Sequence, residues 1–173
     1  NESLSENIFL MVVCILNQIP IFVVGKPGSS KSLAMEIISS NFNGENSTNS
    51  ALRKLPAILV FSHQCSPLST ADGILKIFDH AIKYQESSTN TKTVVLLDEV
   101  GLAEQSPHLP LKVLHEILEH PKVSVVGISN WSLDLAKMNR AVHLTPAQPP
   151  VRDLIYTANK IIGSNESVKT SIK

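Results

Sequence analysis

With 173 residues, 43% hydrophobic and only 17% charged, the chain is long enough for one α/β domain with a core on both faces of a sheet. A formal net charge of zero excludes the electrostatic footprint of direct nucleic-acid or acidic-membrane binding. Two cysteines, Cys14 and Cys65, outside any C-x-x-C pair argue against a disulfide framework or a zinc site, so a reducing compartment is expected.

Leu4 to Gln18 has the pattern of a helix that Pro20 closes. Its apolar stretch Ile8 to Leu16 is far too short to span a bilayer, so we expect a core-facing helix and no transmembrane segment. The chain opens on Asn and ends on polar, unpatterned residues, which suggests a segment of something longer.

The apolar run Ile19 to Val24 holds the first strand, Ile21 to Val24, which feeds Gly25-Lys26-Pro27-Gly28-Ser29-Ser30-Lys31-Ser32, with a helix continuing from Leu33. A loop turning from a buried strand into a helix leaves several backbone N–H groups aimed one way, and the helix dipole adds positive potential. A polyphosphate fits such a cradle. Lys31 is placed to reach the outer phosphates, and the Ser32 hydroxyl to ligate a bridging Mg²⁺. The match to G-x-x-x-x-G-K-[ST] is incomplete, because Ser30 stands where the second glycine is expected. If position 30 needs a positive φ, its Cβ costs about 1–2 kcal/mol. The plainer alternative is a Gly/Ser-rich turn closing a strand.

Ser32 to Ser40 reads as a helix with Leu33, Ile37 and Ile38 toward the sheet, and Asn41 to Ser50 as a surface loop. Ala57 to Phe61 is the second strand, with Ser62 to Pro67 as a connection. Ser69 or Thr70 caps a helix Ala71 to Gln85, carrying Ile74, Leu75, Phe78 and Ile82 on one face. After a polar loop, Glu86 to Lys92, the strand Thr93 to Leu97 ends in Asp98-Glu99, the pattern of a parallel strand buried on both sides. A helix Pro110 to His120 turns Leu111, Leu114, Ile117 and Leu118 inward. Val123 to Ile128 is a strand ending in Ser129-Asn130. Asp134 to Asn139 suggests a short helix, Ala141 to Leu144 a last strand, and Pro146, Pro149 and Pro150 a stiff linker before a helical pattern, Val151 to Ile162. The tail from Gly163 is expected to fray. Strands alternating with helices imply parallel pairing through right-handed crossovers.

Four polar clusters thus fall at the carboxyl ends of strands: the cradle, Cys65-Ser66, Asp98-Glu99 and Ser129-Asn130. Ligands bind at that edge in open α/β sheets. Asp98 is placed to hold Mg²⁺, directly or through water, and Glu99 to polarise the water that attacks a γ-phosphate. Asn130 offers an uncharged donor and acceptor to orient that water. Arg140 is a candidate to stabilise transition-state charge on a neighbouring subunit's nucleotide. Each has a bland counterpart: solvated acids at a strand end, a turn residue before Trp131, a surface arginine. His115, Glu116, Glu119 and His120 suggest a zincin helix, but histidines five apart do not share the face that i, i+4 spacing gives. Cys65 has no histidine placed by sequence to activate it, which favours a buried thiol.

Taken together, GKPGSSKS, QCSPLST, VVLLDEVGLAEQSP and GISNWSLDLAKMNRA resemble an AAA+ ATPase module of the mysterin type, the giant ring-finger ubiquitin ligases built on a dynein-like core. The likeness covers most of residues 19 to 145. It implies an α/β P-loop NTPase fold with a parallel five-stranded sheet ordered 5-1-4-3-2 and helices on both faces. It also implies ATP and Mg²⁺ as cofactors, with Gly25 to Leu33 binding nucleotide. Ser32 and Asp98 would hold the metal, and Glu99, Asn130 and Arg140 would be catalytic. Ser30 departs from the general AAA+ loop, and the resemblance implies that it is what this type of module carries.

On that resemblance, residues 1–148 form the large nucleotide-binding subdomain and 149–173 a linker with an incomplete helical lid. Neighbouring AAA+ modules in the same chain or a ring are the expected partners, a protein substrate is possible, and the compartment is cytoplasmic. No ring-finger cysteines are present. The leading expectation is a Mg²⁺-dependent ATPase that converts nucleotide state into movement between modules. Its rival is a structural module that binds ATP without hydrolysing it, and a small-molecule phosphotransferase is a weaker third.

Overall fold

A computed structural model describes residues 2–134, 139–147, 151, 152, 154–156, 158 and 159. Five parallel strands form one sheet: β1 (Ile21–Val24), β2 (Ala57–Gln64), β3 (Thr91–Asp98), β4 (Ser124–Ser129) and β5 (Val142–Leu144). Their order is β2-β3-β4-β1-β5, the expected 5-1-4-3-2 read from the other edge.

Side chains alternate across a strand, so each central strand feeds two cores. On one face Ile21, Val23, Val94, Val126 and Ile128 meet α1 (Glu2–Leu16) and α2 (Lys31–Asn41) through Met11, Ile15, Met35 and Ile38. On the other, Phe22, Val95, Leu97 and Val125 meet α3 (Ala71–Ser87), α4 (Val100–Glu104) and α5 (Leu114–Glu119) through Phe78, Val100, Leu114 and Leu118. Phe22 and Gly127 are register partners, and a Cβ on Gly127 would stand 2.2 Å from the Phe22 ring. Only glycine lets the ring lie across β4. The Ser124 hydroxyl donates to the Ile15 carbonyl at 2.7 Å and ties the end of α1 to the sheet.

Several boundaries differ from the sequence reading. β2 runs to Gln64, beyond the expected Phe61, because its ladder with β3 continues through Gln64 opposite Asp98. Being an edge strand, β2 carries exposed Ser62 and Gln64 that look like loop residues. β3 starts at Thr91 because the Gln85 side chain reaches over from α3: its amide donates to the Thr91 carbonyl at 2.8 Å and its carbonyl accepts from the Thr93 N–H at 2.8 Å. Thr70, not Ser69, caps α3, accepting from the Gly73 N–H at 3.2 Å.

The expected helix from Pro110 divides into a 3-10 turn, Pro110–Val113, and α5, while α4 was not expected at all. Leu33 is a correction too. Ala34, Met35 and Ile38 face the sheet, and Leu33 is 44% exposed. The expected helix Asp134 to Asn139 falls largely on residues 135–138, outside the described residues. Residues 151, 152, 154–156, 158 and 159 are helical, and the end at Ile162 and the tail from Gly163 lie outside the description. Among the described residues no helix is long and apolar enough to cross a membrane.

Candidate functional site

Because every strand pair is parallel, the carboxyl ends share one rim. The loops extend the ladders by a residue: Gly25 donates its N–H to the Ser129 carbonyl at 3.1 Å, and Cys65 to the Asp98 carbonyl at 2.8 Å. A cleft of about 250 Å³ opens on this rim, lined by Pro27, Gly28, Ser29, Ser30, Lys31, Ser32, Leu33, Asp98, Glu99, Ile128, Ser129 and Asn130. Ten of the expected site residues therefore converge. Gly25 and Lys26 line an adjoining hollow of about 290 Å³ with Asn130 and Trp131. Arg140 lines neither.

Gly28 at φ +83° and Ser30 at φ +58° turn the chain sharply into α2, in the left-handed region where a Cβ is strained. Lys31 opens the helix at only 6% exposure. Its ammonium donates to the carbonyls of Gly25 at 2.6 Å and Lys26 at 3.0 Å, and to the Ser29 hydroxyl at 3.2 Å. Burial holds this ammonium below the usual lysine range, and the nearby Asp98 carboxylate partly offsets it. Among the described residues this buried cation bonds only to its own loop, a donor set that a polyphosphate matches. Ser32 and Asp98 line the same cleft and carry hard oxygen donors of the kind suited to magnesium.

The backbone of Ser30 has a testable consequence. Replacing a left-handed L residue by glycine relieves about 1–2 kcal/mol, less about 0.5–1 kcal/mol of added chain entropy. Ser30→Gly is expected to stabilise the fold by about 0.5–1 kcal/mol and raise Tm by roughly 1–4 °C, read by thermal unfolding without nucleotide.

Glu99 also sits in the left-handed region, at φ +51°, with no side-chain cap at the start of α4. Strained non-glycine backbone of this kind concentrates at functional sites. Its N–H donates to Asp98 Oδ1 at 3.0 Å, which fixes one carboxylate oxygen of the pair. Cys65 is 1% exposed, and burial, with a smaller contribution from the Asp98 charge, pushes its thiol up to about 12. It packs in the core under the rim as a neutral thiol and does not line the cleft. Arg140 lies against α5, with Nη1 3.3 Å from His115 Nδ1 and Nε 3.7 Å from Glu119 Oε2. Among the described residues no group of three His, Cys, Asp or Glu is arranged to hold a metal.

Two contributors escaped the sequence reading. Ser129 was seen only as part of a polar strand end, yet it is 1% exposed and meets the cradle through Gly25. Gly101, in the first turn of α4, is overlain by the Trp131 indole, whose Nε1 would stand 2.6 Å from an added Cβ. A glycine two residues past the paired acids was the available signal.

Solved structures share this arrangement. The chain superposes on the Saccharomyces cerevisiae Hsp104-ADP complex with a TM-score of 0.59 at 18% identity, covering 91% of this chain and 23% of that one. It superposes on Caenorhabditis elegans PCH-2 with a TM-score of 0.54 at 19% identity, covering 86% and 42%. At such identities the likeness concerns the fold. The sheet order, with the loop Gly25 to Ser30 between β1 and α2, together with an AAA domain family model, defines an AAA+ module.

Residues 1–153 match the RNF213 AAA domain model, and the chain belongs to that family. It is 44% identical to E3 ubiquitin-protein ligase RNF213 of Homo sapiens and 44% identical to E3 ubiquitin-protein ligase rnf213-beta of Danio rerio, over all of this chain in both cases. The chain spans about 4% of the length of these curated relatives.

Proposed function

We propose that this module binds ATP with Mg²⁺ and hydrolyses it, coupling nucleotide state to movement between neighbouring AAA+ modules of a larger, cytoplasmic, motor-like or ubiquitin-ligase protein. The observation that carries the reading is the single cleft shared by the cradle, Asp98, Glu99 and Asn130. In this reading Gly25 to Leu33 bind the nucleotide, backbone N–H groups near Lys31 grip the phosphates, and the Lys31 ammonium exchanges its loop carbonyls for phosphate oxygens. Ser32 and Asp98 hold the metal, which when bound neutralises charge on the β- and γ-phosphates. Asn130 orients a water, and Glu99 takes its proton as the water oxygen bonds to the γ-phosphorus and the bond to ADP breaks. The products are ADP and inorganic phosphate. Residues 149–173 are read as a linker and the beginning of an incomplete lid.

Lys31→Ala tests the binding half of this reading. A charge-assisted hydrogen bond contributes about 1.5–3 kcal/mol, so affinity for ATP is expected to fall roughly 10–150-fold. Calorimetric titration with ATP and Mg²⁺ reads it. An unchanged Kd would mean that the cradle does not hold the triphosphate.

A further inference from the structure

Ser129 joins three parts of the cleft that are distant in sequence. Its carbonyl accepts from Gly25, the first residue of the cradle, at 3.1 Å. Its hydroxyl donates to the Trp131 carbonyl at 2.6 Å and accepts from the Trp131 N–H at 3.3 Å, closing a tight ring around the intervening Asn130. On its far side lies Gly101 of α4, where an added Cβ would stand 2.7 Å from the Ser129 hydroxyl oxygen. The segment that carries Glu99 therefore packs directly on this ring.

We infer that Ser129 is a positioning residue for hydrolysis: it sets the direction of Asn130 relative to both the cradle and Glu99. The inference rests on the ATPase reading of the cleft. A hydroxyl is the smallest group that both donates and accepts, and it is what the N–H and C=O of Trp131 each need. Alanine offers neither and frees the chain just past the last ladder pair of β4. The phosphate grip comes from other residues, so binding survives while the aim of Asn130 is lost. Misplacement by about 1 Å costs on the order of 100-fold in rate.

The experiment compares single-turnover ATP hydrolysis and nucleotide affinity in the full-length protein, with Glu99→Gln supplying the background rate. Ser129→Ala is expected to lower kcat about 10–100-fold while KM and the Kd for nucleotide stay within about twofold. Gly101→Ala drives a methyl into the same ring from the α4 side. It is expected to give the same split, and it decides the matter if Ser129→Ala does not fold. Wild-type kcat in both variants, with Glu99→Gln inactive, overturns this inference and leaves the ATPase reading standing. Parallel loss of kcat, affinity and thermal stability in both assigns Ser129 to structure alone and also overturns it. Wild-type turnover in Glu99→Gln overturns the ATPase reading, and this inference with it.

Discussion

Glu99→Gln is expected to leave ATP bound and slow its cleavage by roughly 10²–10⁴-fold, the usual contribution of a positioned general base. That is about 3–5 kcal/mol of barrier. Glutamine keeps the volume and planarity of the side chain, and the residue 99 N–H still donates to Asp98 Oδ1, so the Asp98 carboxylate stays in place. What disappears is a basic oxygen to receive the proton of the attacking water. The cradle residues are untouched, and the phosphate grip should persist. Single-turnover hydrolysis of radiolabelled ATP, with the bound nucleotide then identified by chromatography, separates the two effects. Retained ATP with slow cleavage is the expected signature, and turnover at the wild-type rate would make this a module that binds without hydrolysing here.

The central strands were legible because burial on both faces leaves an uninterrupted apolar run. β1 ends just before Gly25, β3 and β4 end on Asp98 and Ser129, and those ends meet at the candidate site. Parallel pairing then forces the polar ends onto one rim, so the sequence could bring together residues more than a hundred positions apart. α4 was hidden for a local reason: it is five residues long, opens on a left-handed Glu99, and carries no side-chain cap. The far end of β2 was hidden by the exposed face of an edge strand. Leu33 was misplaced because the helix buries Ala34, Met35 and Ile38 instead, which a short apolar pattern does not fix. Ser129 was the costliest omission. Its partners are main-chain atoms of Gly25 and Trp131, and a hydrogen bond to backbone leaves no trace in residue type.

The strain at Ser30 and Glu99 follows from the same arrangement. Ser30 is the last of the six residues between β1 and α2, and Glu99 is the single residue between β3 and α4, at φ +58° and +51°. Such conformations cost about 1–3 kcal/mol each and persist only where the surroundings impose them. Here the cores on both faces of the sheet impose them, and the result is that the ends of β1 and β3 open onto one cleft.

Arg140→Ala is expected to have the largest effect, with a location that is diagnostic. Arg140 does not line the cleft of its own module and lies against His115 and Glu119 of α5. An arginine outside its own site that acts on a nucleotide must act on a neighbour's, so affinity of this module for ATP should be unchanged. An arginine supplied in trans contributes roughly 10³–10⁵ in rate, or about 4–7 kcal/mol of barrier. The loss should therefore appear at the adjoining module, and only in an assembly where the two surfaces meet. Mixing Arg140→Ala with Glu99→Gln protein discriminates if modules associate between chains. One pairing joins an intact cleft to an intact Arg140, and part of the turnover returns. If the modules are joined within one chain, mixing restores nothing, and the Arg140→Ala loss must coincide with a substitution in the neighbour's own cradle, the double variant being no slower than either alone. Wild-type turnover in Arg140→Ala returns the residue to the surface of α5 and leaves the transition-state charge to groups inside the cleft.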